Sequence, residues 1–344
     1  MVTIKDIAAK CGVSVSTVSK ALNGYSDVGK DTVERIRSLA HEMGYQPNGQ
    51  ARALKTNRTY NLGLLYYIKY GLGTGMSQAY FSEILNAFRA KAESYGYDIT
   101  FISKNIGSSN RSFLEHCHYR CVDGIAIICA QFEDEEVQEL LRSDLPCVTI
   151  DYVHPRASAI LSNNQQGMRL LVARAYQLGH RRIAFIHGTP HTPVTNERIR
   201  GYREGLQSVG LPFAQEYLIQ ADFNDMDLCA QKAQQLMRLS QPPTCILCPD
   251  DYSAMGALRR LRQLGYSVPE SVSICGFDGI TLSQIVSPTL TTIRQDTQTM
   301  GALCAERLIK RIELGNQQKS MPLSDRMHIP VQFLEGETLG KCRL

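Results

Sequence analysis

Two short runs at the start of the chain set apolar residues at helical spacing on one side and polar residues on the other. In the first, Ile7 and Ala8 turn inward from a helix that the Thr3/Asp6 capping-box spacing starts at Ile4. In the second, Ser14 is placed to cap a helix whose inward side is Val18, Ala21 and Leu22, with Val15, Ser16, Ser19 and Lys20 outside. Cys11, Gly12 and Val13 join the two. A third periodic run, Lys30 to Met43, carries Val33, Ile36, Leu39 and Ala40 on one side and ends at Gly44, suited to a left-handed cap, and Tyr45, able to fold back. Two such helices cannot close a core; three can. After Pro47, the run from Asn48 to Lys55 predicts one short helical segment with an exposed Leu54.

From Tyr60 the pattern changes to apolar strand-like runs separated by helical stretches. The runs are 61–67, 97–103, 124–129 and 146–151, with helices over 80–95 and 134–142. A second series follows over 183–187, 217–222, 244–249 and 271–277, with helices over 197–209 and 254–264 between its members. Near-continuous apolar strands alternating with helices predict parallel sheets covered on both faces, and two consecutive series predict two α/β lobes. No apolar run reaches the ~18 residues of a membrane span, and the N-terminus lacks a signal-peptide pattern, so the expectation is a cytoplasmic protein without membrane contact.

Charge sharpens this division. The chain carries 37 basic and 33 acidic residues, a net charge of +4. Positions 1–58 hold nine basic and five acidic residues, so the whole excess sits on the small N-terminal module, where phosphates would be met. Eleven cysteines, an odd number, read as buried thiols rather than a disulfide framework. His116, Cys117, His118 and Cys121 have metal-ligand identities but fall at a helix end, and Cys245 and Cys248 fall within an apolar strand, so no metal is expected. Gly71, Gly73 and Gly75 approximate a dinucleotide fingerprint, but Met76 stands where its last glycine belongs, and no cofactor is expected.

Five segments carry a family resemblance: TIKDIAAKCGVSVSTVSKALNG (3–24), GYQPNGQARALKT (44–56), GHRRIAFIHG (179–188), VPESVSICGFDGI (268–280) and PTLTTIRQD (288–296). In this order the chain resembles LacI/GalR-type transcriptional regulators. The resemblance implies a helix-turn-helix domain over 1–47, a hinge helix or linker over 48–58, and an effector-binding and dimerisation domain over 59–344. The last is implied to be a two-lobed, periplasmic-binding-protein-like pair of doubly wound parallel sheets, with crossovers near 161–164, 289–293 and 320–324. Its N-lobe would take 59–162 and 291–322, and its C-lobe 163–290 and 323–344.

Function follows from both readings. Val15, Ser16 and Lys20 are the expected base readers in a major groove, Lys20 donating to guanine and Val15 touching a thymine methyl. Thr3, Ser14, Thr17, Ser19 and Asn23 are expected DNA contacts around them, and Ala51, Arg52, Leu54 and Lys55 are those of the hinge. Leu54 would be a minor-groove wedge in a segment too short to be a stable helix alone. Open α/β sheets bind ligands at the carboxyl ends of their strands, which nominates Tyr80, Phe81, Asp151, Arg198, Phe223, Asp250 and Asp278 for an effector. In the family, the matching Arg and Asp clamp polar ligand groups and the aromatics stack on a ring; Asp250 stands where Asn is common. Asp250 is expected to orient a ligand hydroxyl and Asp251 to cap the next helix. The expected whole is a homodimeric repressor that binds a pseudo-palindromic double-stranded operator and responds to a sugar or sugar-like metabolite. The alternative is a sugar-binding or sugar-modifying protein with a fused interaction module.

Overall fold

The computed structural model describes residues 2–22, 24–46, 58–67, 79–106, 109–315 and 325–343. The chain divides into two units, Met1–Thr59 and Tyr60–Leu344.

In the smaller unit, helices span Ile4–Cys11, Val15–Leu22 and Lys30–Glu42. Asp6 reaches back to accept from both the backbone N–H and the hydroxyl of Thr3, each at 2.8 Å. Ser14 Oγ accepts from Thr17 N–H at 3.1 Å and so caps the second helix as its sequence position predicts. Gly12, with φ of +64°, turns the chain between these helices in the left-handed region that disfavours any residue with a Cβ. Ile7, Ala8, Val18, Ala21, Ile36 and Ala40 form the core, flanked by partly buried Leu22, Val33, Leu39 and Tyr45.

In the larger unit the strands are β1 Asn61–Tyr66, β2 Asp98–Phe101, β3 Asn105–Ile106, β4 Ser109–Asn110, β5 Gly124–Cys129, β6 Cys147–Ile150 and β7 Ser158–Ser162, then β8 Ile183–His187, β9 Leu218–Gln220, β10 Cys245–Leu247, β11 Ser273–Cys275, β12 Thr292–Gln295, β13 Arg326–Ile329 and β14 Val331–Leu334. Six of them form a parallel sheet in the order β13-β7-β6-β5-β1-β2, and four form a second parallel sheet, β11-β10-β8-β9. Strands β12 and β14 pair antiparallel. Each parallel sheet is buried on both faces, which is why its strands read as unbroken apolar runs. On the first sheet, helices Ala79–Ser94 and Thr297–Leu314 pack over Leu62, Leu64, Ala126 and Val148, while Phe113–Tyr119 and Glu135–Arg142 cover Leu65, Ile125 and Ile127. On the second, Asn164–Gln177 and Pro193–Ser208 cover Ile183 and Phe185, while Met226–Leu236 and Asp251–Gln263 cover Ala184 and Ile246.

The chain passes between lobes three times. The first crossing, between Ser162 and Asn164, lies where the sequence places it. The second and third do not. The chain returns to the first lobe at Asp296, after β12, rather than over 289–293, because Thr292–Gln295 pairs with β14 before the next helix begins. It leaves again at Pro330 rather than over 320–324, because β13 is the edge strand of the first sheet, in register with β7. The 316–324 segment itself lies outside the described residues, as do Gly71, Gly73, Gly75 and Met76.

The metal-like run resolves into structure: His116 and Cys117 are buried, and the His116 ring is held by the backbone of Ser103, 2.6 Å from its carbonyl oxygen. Among the described residues no group of three or more His, Cys, Asp or Glu is disposed to hold a metal ion. None of their helices is long and apolar enough to cross a membrane.

Candidate nucleic-acid interface and ligand cleft

On the second helix of the small unit, Val15, Ser16 and Lys20 are exposed, Val15 to 39%. Positions 16 and 20 are one helical turn apart and share a side. Ser14 is the hub of a hydroxyl web, 2.7 Å from Ser16 Oγ and 2.8 Å from Thr17 Oγ1. Thr3 is exposed, and its hydroxyl is engaged by Asp6. Ser19 is half-buried on the same helix. Lys20 is not free-standing: its Nζ lies 2.5 Å from Asp27 Oδ2, which raises the lysine pKa and lowers that of the aspartate. Asn23, Ala51, Arg52, Leu54 and Lys55 lie outside the described residues.

In the large unit, the carboxyl ends of both parallel sheets line a cleft of about 900 Å³. Tyr80, Phe81, Asp151, Arg198, Phe223 and Asp278 all line it. Asp151 follows β6 with φ of +54° and accepts from the Tyr80 hydroxyl at 2.7 Å and from Ser162 N–H at 3.1 Å. Burial outweighs these bonds and raises its carboxyl above the ordinary value. From the other lobe, Arg198 is 4% exposed and lies flat over Phe277, 3.6 Å from the ring centroid. Its Nε donates to Asn164 Oδ1 at 2.8 Å, its Nη1 donates to the Pro249 carbonyl, and its Nη2 sits 3.7 Å from Asp278 Oδ1. The guanidinium is thus largely fixed by protein, and less of it is available for a ligand than a two-hydroxyl fork requires. Asp278 also accepts from Gln295 Nε2 at 2.7 Å. Its carboxyl is pushed well above the usual range by burial, which the Arg198 charge only partly offsets.

Asp250 takes the capping role that the sequence gives to Asp251, and Asp251 takes neither of the two suggested roles. Asp250 does not line the cleft. It is the N-cap of Asp251–Gln263, accepting from Ser253 N–H and Oγ, each at 2.8 Å, and from Asn224 N–H at 2.7 Å. With both oxygens engaged and 1% exposure, it is committed to the helix start and does not face the cleft. Asp251 is no cap. It is fully buried and accepts from Thr292 Oγ1 at 2.5 Å and Ile280 N–H at 2.9 Å, bracing the turn that carries Asp278.

Two contributors escape the sequence reading. Asn164 orients Arg198 from just beyond the first crossing. Gln295, 3% exposed, ends β12 and lines the cleft with Oε1 unpartnered among the described residues. Its signal was present: it is the one uncharged polar side chain long enough to reach inward in the 292–296 stretch.

A basic helix-turn-helix unit in one chain with a two-lobed cleft, its strand ends converging on a guanidinium and two carboxylates, defines the class of ligand-responsive regulators. The model of bacterial regulatory proteins of the lacI family matches residues 3–48, and the periplasmic binding protein-like domain model matches 172–339. The chain is 32% identical over 326 residues to the HTH-type transcriptional repressor PurR of Vibrio parahaemolyticus serotype O3:K6 (strain RIMD 2210633), covering 93% of this chain and 94% of that one. Among solved structures it is similar to a transcriptional regulator CelR–cellobiose complex (TM-score 0.69, 25% identity, 98% of this chain and 100% of that one). It also shares its fold with the lac repressor dimer bound to operator and the anti-inducer ONPF (TM-score 0.78, 24% identity, 98% and 99%). The chain belongs to the lacI family of bacterial regulatory proteins. It is a regulator and not an enzyme.

Proposed function

We propose that this protein is a cytoplasmic transcriptional repressor whose grip on a pseudo-palindromic operator is set by a sugar or sugar-like effector bound in the cleft of the large unit. The carrying observation is the Arg198–Asp278 pair, 3.7 Å apart, on the wall of a cleft that Asp151 lines from the other lobe. Carboxylates accept from hydroxyls, and Phe81 and Phe223 offer apolar faces to a sugar ring. The name of the Vibrio relative supports repression, and the cellobiose in the CelR complex supports a carbohydrate. The aromatic lining also favours a second reading, a planar heterocycle stacked on Tyr67, Phe81 or Phe223.

In this reading Val15, Ser16 and Lys20 read bases, with Thr3, Ser14, Thr17, Ser19 and Asn23 around them on the DNA. Residues 48–58 form the hinge, where Ala51, Arg52 and Lys55 meet DNA and Leu54 wedges the minor groove. The protein acts as a homodimer, since a palindrome needs two reading heads. Effector binding alters the relative rotation of the lobes and thereby the spacing of those heads.

A gel shift on genomic fragments, with and without sugars and nucleobases, tests the scheme. Arg198→Ala and Asp278→Ala are expected to abolish the effector's influence on DNA binding. Calorimetry that finds wild-type effector affinity in both variants would sink the assignment, and binding by a nucleobase alone would select the heterocycle reading.

A further inference from the structure

Carboxyl groups outnumber cationic groups in the cleft lining. Among the described residues that line it, Arg198 is the one permanently cationic side chain, and three protein groups already engage it: Asn164 Oδ1, the Pro249 carbonyl and Asp278. Against it stand Asp151 and Asp278, with Glu133, Asp134 and Glu135 adding three further carboxylates to the lining. Gln295 adds a neutral acceptor. Its amide is turned so that Nε2 donates to Asp278 Oδ1 at 2.7 Å. Oε1 is therefore a buried acceptor without a partner among the described residues. A buried acceptor left without a donor is costly, and a ligand that supplies an O–H or N–H there removes that cost. A phosphate or carboxylate supplies only more acceptors and a like charge.

We propose that the cleft selects an uncharged or cationic molecule rich in O–H or N–H donors, the chemistry of a free polyol, an amino sugar or a nucleoside, and rejects its phosphorylated counterpart. Gln295 Oε1 is the acceptor that reads one of those donors. This rests on the cleft being the effector site, and it narrows what that effector is.

The test uses the full chain with matched pairs: ribose and ribose 5-phosphate, glucose and glucose 6-phosphate, adenosine and AMP, guanosine and GMP, with glucosamine as the cationic arm. Thermal shift finds the binders and calorimetry measures them. Every binder is expected to be unphosphorylated, its ester weaker by about a hundred-fold as like charges meet in the cleft. An ester that binds as tightly as its parent overturns the charge selection and leaves the effector-cleft reading standing. Silence from every probe overturns both. Gln295→Met is expected to weaken the binding parent about ten-fold, the loss of one buried hydrogen bond. Full affinity in a cooperatively melting Gln295→Met removes Gln295 from the contact.

Discussion

The ammonium of Lys20 is engaged within the protein itself: its Nζ sits 2.5 Å from Asp27 Oδ2. Both side chains are about half exposed, so the pair is easily exchanged for another partner, and a base or phosphate competes with the aspartate for the same charge. Asp27→Asn releases the lysine and removes a carboxylate from the surface proposed to meet DNA. The expected result is several-fold tighter binding to all DNA sequences at low salt, with a salt slope steeper by about one counterion. Fluorescence anisotropy at two salt concentrations measures it, and an unchanged slope means that Asp27 does not compete with DNA. A second prediction concerns Asp251, whose carboxyl burial pushes up from 3.8 to about 7. Because the folded value lies above the unfolded one, the stabilisation is complete below about pH 4 and is lost as pH rises through 7. Asn can keep both contacts by turning Nδ2 toward Thr292, so the stability of wild type relative to Asp251→Asn is expected to fall by about 2 kcal/mol between pH 5 and pH 8. Denaturant melts at the two pH values decide it; a constant difference contradicts the burial argument. Asp151 and Asp278 were legible from sequence because they follow strand runs, and Arg198 because it falls in the helix after the strand that ends at His187. Asp250 and Asp251 were not, because which of two neighbours caps a helix depends on backbone angles that the letters do not carry.

Helix pairing in this molecule depends on close backbone approach. A Cβ on Gly201 would lie 2.6 Å from the backbone of Gln165, where helix Pro193–Ser208 crosses helix Asn164–Gln177. Backbone cannot yield as a flexible side-chain end does, so Gly201→Ala must push the two helices apart. The expected destabilisation is about 1–3 kcal/mol, the usual range for overpacking. The same displacement separates Arg198 from Asn164, which lie on these two helices. The variant should therefore lose effector affinity as well as stability, and calorimetry that shows wild-type affinity would uncouple the crossing from the cleft. Elements with a strong period were legible: the runs 124–129 and 183–187 were read at their true bounds, and the other predicted strands came out one to four residues too long. Strands β7 and β13 were not legible, since Ser158–Ser162 and Arg326–Ile329 are short and mix polar with apolar residues. Their strand character comes from pairing with each other across 160 residues of chain, a tertiary effect that local pattern does not encode.

At the scale of the large unit, neither lobe is continuous in sequence. The first sheet is covered on one face by Thr297–Leu314, whose Met300, Cys304, Leu308 and Ile309 complete the core around Leu62, Ile84 and Phe88. A chain ending at Gln295 leaves that core open. It is expected to be insoluble or to bind a hydrophobic dye, and a monodisperse, dye-silent product in size-exclusion chromatography would show that the helix is dispensable. This arrangement also sets an order of events during synthesis. Helix Ala79–Ser94 leaves the ribosome some two hundred residues before its partner Thr297–Leu314. At bacterial elongation rates of ~5–20 residues per second, that is an interval of roughly 10–40 s. The second lobe gains nothing from its earlier position, for β12 waits on β14, which comes later still. Both lobes of the effector unit must therefore mature together and after elongation is nearly finished, while the helix-turn-helix unit, whose core draws only on the first 45 residues, can fold at once. For most of its synthesis the nascent chain carries a DNA-reading head with no effector-binding unit yet able to govern it.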